Sequence, residues 1–214
     1  MLTRRDFRWI AIGLVAFCLY DYWDFSQHTV PQNTVTFAPD PRFRGVLNLF
    51  VQSGSPLMKF QIDLDAGQGV SHPNNGENPD PTLPVQCGRD PHTQADRRDL
   101  PSPSGAFFIS CEFTDAITVK KADGSLVDSH VFVPGAEIDS EAWAPDSSAI
   151  AVLTKKTKTN FYTPRGMLRL FSGHPIELTT YRVFLLSPQN DHVKEIPVLT
   201  RPLEGAWAAV GWVK

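Results

Sequence analysis

Beyond residue 34 the chain is a succession of short apolar runs closed by polar turns. Val46-Leu47-Asn48-Leu49-Phe50-Val51 reads as a strand, and Leu57 to Asp63 alternates apolar and polar with period two. Ser53-Gly54-Ser55 between them is a hairpin-type turn. Val35-Thr36-Phe37, Phe107 to Phe113, Ala116 to Lys121, Leu126-Val127, His130 to Val133, Ala142-Trp143 and Ala149 to Thr154 extend the series. Met167 to Phe171, Tyr181 to Leu186 and His192 to Leu199 are predicted as further strands, and Ala206 to Val213 as the last. No amphipathic helical stripe is visible past the N-terminus, so the pattern predicts an all-β domain of antiparallel hairpins over residues 35–214. Residues 64–101 break the rhythm: glycines, prolines, Asn and Asp with few apolar positions predict a long partner-binding loop or insertion.

One phrase occurs twice. Ser102-Pro103-Ser104-Gly105 runs into the strand at Ala106, and 42 positions on Ala144-Pro145-Asp146-Ser147 runs into Ala149. Each unit then has a second strand and a polar turn, Asp123-Gly124 or Gln189-Asn190-Asp191. A recurrence of about 40 residues built from strands is the signature of blade-like β repeats. With Trp143 before the second phrase, and weaker support from Ala38-Pro39-Asp40, these residues resemble the Ser-Pro-Asp-Gly phrase of WD40-like β-propeller repeats. Such repeats occur in TolB-type periplasmic proteins and in the propeller domains of prolyl oligopeptidase-like peptidases. Ser104 replaces Asp in the first copy, Ser147 replaces Gly in the second, and Lys155–Thr180 reads as an insertion. Two or three units do not close a ring of 4 to 8 blades, so the expectation is a partial propeller or a sandwich whose edges need cover.

Ahead of this domain, Arg4, Arg5 and Arg8 precede a 12-residue apolar run from Trp9 to Tyr20, and Asp21 and Asp24 follow it. Basic residues before and acidic ones after place the N-terminus in the cytoplasm and the body in the periplasm. As a helix the run reaches about 18 Å, short of the hydrocarbon core. Residues 1–25 are read as an uncleaved membrane anchor, with the arginines snorkelling and Trp9, Tyr20 and Trp23 at the interfaces; the alternatives are a cleaved signal and a buried core helix. Residues 26–34 are a connector. Thr3-Arg4-Arg5-Asp6-Phe7 resembles a twin-arginine export signal, and Leu14 to Cys18 loosely resembles a lipobox with Phe17 in place of its small residue.

Charge and chemistry narrow the function. A formal net charge of −3, with no long basic run, argues against nucleic acid as a partner. Cys87 and Cys111 are a candidate disulfide if the body is exported, and two thiols otherwise. There is no Gly-x-Ser-x-Gly elbow and no room for a peptidase catalytic domain; the six histidines show no ligand spacing. Asp63-Leu64-Asp65-Ala66-Gly67 faintly resembles a calcium loop, and a plain turn accounts for it better. No catalytic, cofactor or metal residue is therefore expected. Lys155, Lys156 and Lys158 form the basic cluster of the body, read as a hairpin tip. Trp207 and Trp212, five apart, fall on opposite faces of one strand, one for the core and one for a partner. The first reading is a non-catalytic, membrane-anchored accessory subunit whose periplasmic β-domain stabilises a larger membrane complex, with a respiratory or photosynthetic assembly as one host. The alternative is a soluble exported TolB-like binding module.

Overall fold

A computed structural model describes residues 4–31, 33–53, 57–73, 99–110, 115–160, 163–189 and 191–213. Helix α1 (Arg4–Gln27) is followed by β1 (Thr34–Thr36), β2 (Val46–Gln52), β3 (Met58–Asp63), β4 (Gln68–Pro73), β5 (Leu100–Pro101), β6 (Phe107–Ser110), β7 (Ile117–Lys121) and β8 (Leu126–His130). Then come β9 (Glu137–Trp143), β10 (Ile150–Asn160), α2 (Pro164–Phe171), β11 (Ile176–Ser187), β12 (His192–Ile196), β13 (Leu203–Glu204) and β14 (Trp207–Trp212).

The strands form three antiparallel sheets. The first has the order β1-β4-β3-β2-β14, the second β5-β6-β7-β8, and the third β12-β11-β10-β9 with β13 beside β11. The second and third are simple meanders, and the first is completed by the C-terminal strand. The third sheet lies between the others. Strand side chains alternate between faces, so Ala151, Leu153, Val183 and Leu185 pack with Leu49, Val51, Phe60 and Val210 of the first sheet. Ile150, Val152, Phe184 and Leu186 pack with Ile109, Ile117 and Val119 of the second. Burial on both faces is why residues 149–153 and 183–186 read as continuous apolar runs rather than alternating ones.

Strand β9 joins the sheets. The buried Ser140 hydroxyl donates to the Val210 carbonyl (3.3 Å) and accepts the Val210 N–H (3.1 Å), tying β9 to β14. On its other face the Trp143 indole N–H donates to the Leu100 carbonyl of β5 (3.1 Å). Strands β14, β9 and β5 are thus gathered side by side.

The repeated phrase occupies the turn between the first two strands of the second and third sheets. In both copies the fourth residue donates back to the first, Gly105 to Ser102 and Ser147 to Ala144, each at 2.9 Å. The first residue also donates five positions on, Ser102 to Phe107 and Ala144 to Ala149, each at 2.8 Å. Both fourth residues are left-handed, with φ of 70° at Gly105 and 64° at Ser147. Serine there has a job glycine cannot do: its hydroxyl accepts the Ser104 N–H at 2.9 Å, welding the two turns together. Asp146 takes the Ser148 N–H and hydroxyl, which hold its carboxyl below the usual range.

Several expectations are corrected. Met167–Phe171 is not a strand but the body of α2, started by Pro164 and by Thr163, whose hydroxyl accepts the Gly166 N–H. Lys155–Thr180 is not an insertion that splits the unit, because β10 and β11 run through it as one long hairpin in unbroken register from Ile150↔Leu186 to Asn160↔Ile176. The expected loop at 64–101 contains β4 at its start and β5 at its end; residues 74–98 between them, with Cys87, lie outside the described residues, as does Cys111. The candidate disulfide therefore falls outside the description, whereas Cys18 is free and exposed on α1. Among the described residues no helix is long and apolar enough to cross a membrane, which leaves the single-span expectation for Arg4–Trp23 without support from hydropathy. The physical reason is local: the apolar run is short, and Asp21 and Asp24 follow within one turn.

Candidate functional site

The site grows from the foot of α1. Residues 7–20 are exposed on every side of the helix, Trp9 at 64% and Leu14 at 60%, and contact with the β-domain begins at its last two turns. Asp24 is buried there, 3.8 Å from His28 Nδ1. The Ser53 hydroxyl donates to the carbonyls of His28 (3.2 Å) and Glu204 (2.7 Å). Glu204 on β13 in turn holds Arg165 of α2 through two parallel hydrogen bonds, each 2.9 Å. Arg165 also lies 3.6 Å from Asp21 and over the Phe25 ring at 5.4 Å. One guanidinium thus ties together α1, α2 and β13, and its planar fork suits the bidentate carboxylate contact.

The β10–β11 hairpin carries α2 to this place. Gly166 is required, since a Cβ on it would stand 2.3 Å from the Asn160 carbonyl oxygen. Beyond that first turn α2 is open: Met167 is 49%, Leu168 61%, Leu170 46% and Phe171 81% exposed.

The basic cluster is not a hairpin tip. Lys155, Lys156 and Lys158 sit on β10 itself, which continues to Asn160. Lys155 pairs with Asp139 at 2.6 Å and Lys156 donates to the Pro134 carbonyl at 3.1 Å. Lys156, Lys158 and Arg182 line a groove of about 390 Å³ on the arm, with Thr154, Asn160 and Leu178. At the arm's root the buried Tyr181 hydroxyl donates to the Ala206 carbonyl (2.8 Å); burial, and then the charge of Asp139, push that phenol up, so it stays a donor.

The tryptophans divide as their spacing predicts. Trp212 packs against the core shared by the first and third sheets and donates to the Arg44 carbonyl at 3.3 Å. Trp207 is 39% exposed on the opposite face of the first sheet, the face that also presents Val70. Of the expected anchor residues, Trp9, Tyr20 and Trp23 are exposed on α1, Tyr20 and Trp23 with ring centroids 5.9 Å apart. Arg8 is exposed too, while the side chains of Arg4 and Arg5 lie outside the described residues.

One His–carboxylate pair has the look of acid–base machinery. His192 Nε2 lies 3.0 Å from Asp40 Oδ2. Asp40 is also held by Arg42 through Nε (2.9 Å), Nη2 (3.0 Å) and the backbone N–H, and these contacts keep its carboxyl well below the usual range. His192 stacks on Phe43 at 5.8 Å, and no described hydrogen bond brings it a hydroxyl. Lys194 donates to the Ala38 carbonyl nearby. Together these contacts fasten the 37–43 loop over the edge strand β12. The Asp63–Gly67 segment is a turn: Asp63 accepts the Ala66 N–H and Asp65 the Gly45 N–H. Among the described residues no group of three or more His, Cys, Asp or Glu is placed to hold a metal ion. Sequence reasoning missed Arg165, Glu204 and the Asp40–His192 bracket, since partners 39 and 152 positions apart leave no local pattern.

No family model matches the chain. No curated protein matches it in sequence. Among solved structures it is similar to the dihydro-heme d1 dehydrogenase NirN in complex with DHE, at 16% identity and a TM-score of 0.29, over 80% of this chain and 30% of that one. It is also similar to oligogalacturonate lyase from Vibrio parahaemolyticus, at 8% identity and a TM-score of 0.29, over 77% of this chain and 41% of that one. A manganese complex of oligogalacturonate lyase aligns at 7% identity and a TM-score of 0.28, over 78% and 48%. The chain spans less than half the length of these structures, and at such scores the likeness carries no argument about fold or activity.

Proposed function

We propose that this chain is a non-catalytic, membrane-anchored accessory subunit whose all-β domain binds and stabilises a larger membrane protein complex. The observation that carries the reading is α1. Fourteen consecutive residues, 7–20, stand exposed, and all but Arg8 and Gly13 are apolar or aromatic. An apolar surface of that extent is not left in water; lipid or protein covers it. With the arginines snorkelling at one end and Tyr20, Tyr22 and Trp23 at the other, the helix sits in a bilayer despite its short apolar run. The arginines then lie on the cytoplasmic side of the inner membrane and the β-domain on the periplasmic side. Trp207, half-exposed on the outer face of the first sheet, is the contact we assign to the partner complex, for which a respiratory or photosynthetic assembly is one host.

Purification from native membranes in mild detergent tests this reading. It expects a stoichiometric partner that Trp207→Ala weakens, and a clean monomer overturns it. The shortfall of α1 in hydropathy favours a second reading, a soluble exported propeller-type binding module released by cleavage. N-terminal sequencing of the mature chain decides between them: a start beyond the apolar run removes the anchor.

A further inference from the structure

The four exposed apolar residues of α2 are unexplained by the anchor alone. At 100° per residue, Met167, Leu168, Leu170 and Phe171 fall within an arc of about 160°, while Arg165 and Arg169 fall on the opposite side. The helix is amphipathic, yet its apolar arc is exposed rather than packed on the β-domain. Its position is fixed by Arg165, which reaches Asp21 and Phe25 of α1. That puts α2 at the level of Tyr20, Tyr22 and Trp23, the aromatic end of α1. Arg169, on the polar side of α2, is exposed as well and lies by a surface hollow shared with Glu177 of β11 and Glu204.

We propose that α2 is a second membrane contact: it lies in the headgroup–acyl boundary of the leaflet that receives the C-terminal end of α1, with its apolar arc in lipid. The assignment rests on the anchor reading of α1 and deepens it. Lipid is the occupant because the α2 arc continues the exposed apolar surface of α1 at the depth its aromatics mark, and because the exposed Arg169 on the polar side of the helix suits anionic headgroups. Two contacts to one bilayer fix the tilt of the β-domain, which a single helix leaves free to swivel.

The native Cys18, exposed near the middle of α1, supplies an internal control. The full-length protein is reconstituted in phosphatidylcholine vesicles containing phosphatidylglycerol and spin-labelled lipid. One preparation carries an environment-sensitive fluorophore on Cys18; another carries it on a cysteine introduced by Phe171→Cys in a Cys18→Ser chain. The Cys18→Ser parent gives the background from Cys87 and Cys111, and Leu126→Cys, on β8 of the second sheet, reports a site in water. The proposal expects quenching at position 171 by a shallow label about twofold stronger than by a deep one, deep quenching at Cys18, and neither at position 126. Quenching at Cys18 with none at 171, whether that probe is open to iodide or shielded by protein, overturns the α2 assignment and leaves the anchor standing. No quenching at either position overturns the anchor reading and this inference with it.

Discussion

The third sheet and the two helices treat apolar side chains in opposite ways. Ile150 to Leu153 are fully buried on both faces of β10, against the first sheet on one side and the second on the other. About fourteen residues further on, between the two strands of the same hairpin, Met167 to Phe171 are exposed, and α1 is exposed over most of its length. Among the described residues the β-domain completes its own core, whereas the helices carry apolar surface that no described residue covers. On the anchor proposal, stability and attachment then reside in different parts of the molecule.

The sharpest way to break that comparison is to truncate one apolar residue on each side of it. Leu153→Ala, in the core shared by the first and third sheets, should cost about 3 kcal/mol in denaturant unfolding, while Leu14→Ala should stay within about 0.5 kcal/mol. Equal losses would mean that α1 is part of the folded core after all. Next in size is Ser140→Ala, which strips the buried Val210 N–H of its acceptor. A loss of about 2 kcal/mol is expected, and an unchanged midpoint would show that β9 and β14 hold together without it.

Asp40→Asn probes the bracket over β12, with an expected cost of about 1 kcal/mol at neutral pH after allowance for solvent screening. Because the native carboxyl is held below its usual range, its contribution is complete above the unfolded value of about 3.9 and is lost as the pH falls through the lower native value. The gap between variant and native protein should narrow below about pH 4; a gap that widens there would reverse the sign of the argument. The smallest effect on stability is expected of Trp207→Ala, within about 0.5 kcal/mol, coupled with weaker partner recovery. A large loss of stability would move Trp207 from the contact surface to the core.

Much of the β-domain was legible because a strand buried on two faces writes itself as a continuous apolar run, and a strand buried on one face as an alternation. Residues 149–153, 183–186 and 57–63 were all placed this way. The doubled phrase was legible too, since the turn needs a left-handed fourth residue and a polar third one. The α2 segment was misread because Met-Leu-Arg-Leu-Phe fits a strand or a helix over so short a span; Thr163 and Pro164, its start signal, were the available cue. The lysine cluster was misplaced for a related reason, as the chain does not record how far two paired strands continue beyond their shared sheet.

Chain order and side-chain periodicity determined the local elements: antiparallel hairpins, two copies of one turn, and an apolar helix flanked by charges of opposite sign. Which sheet lies between the others, and that the C-terminal strand completes the first, depended on burial summed over distant segments. Only the tertiary structure could bring Arg165 to Asp21 and Glu204, or Ser140 to Val210. Those contacts join groups far apart in the chain, and a hydrogen bond is specified by where its two ends meet rather than by either end alone.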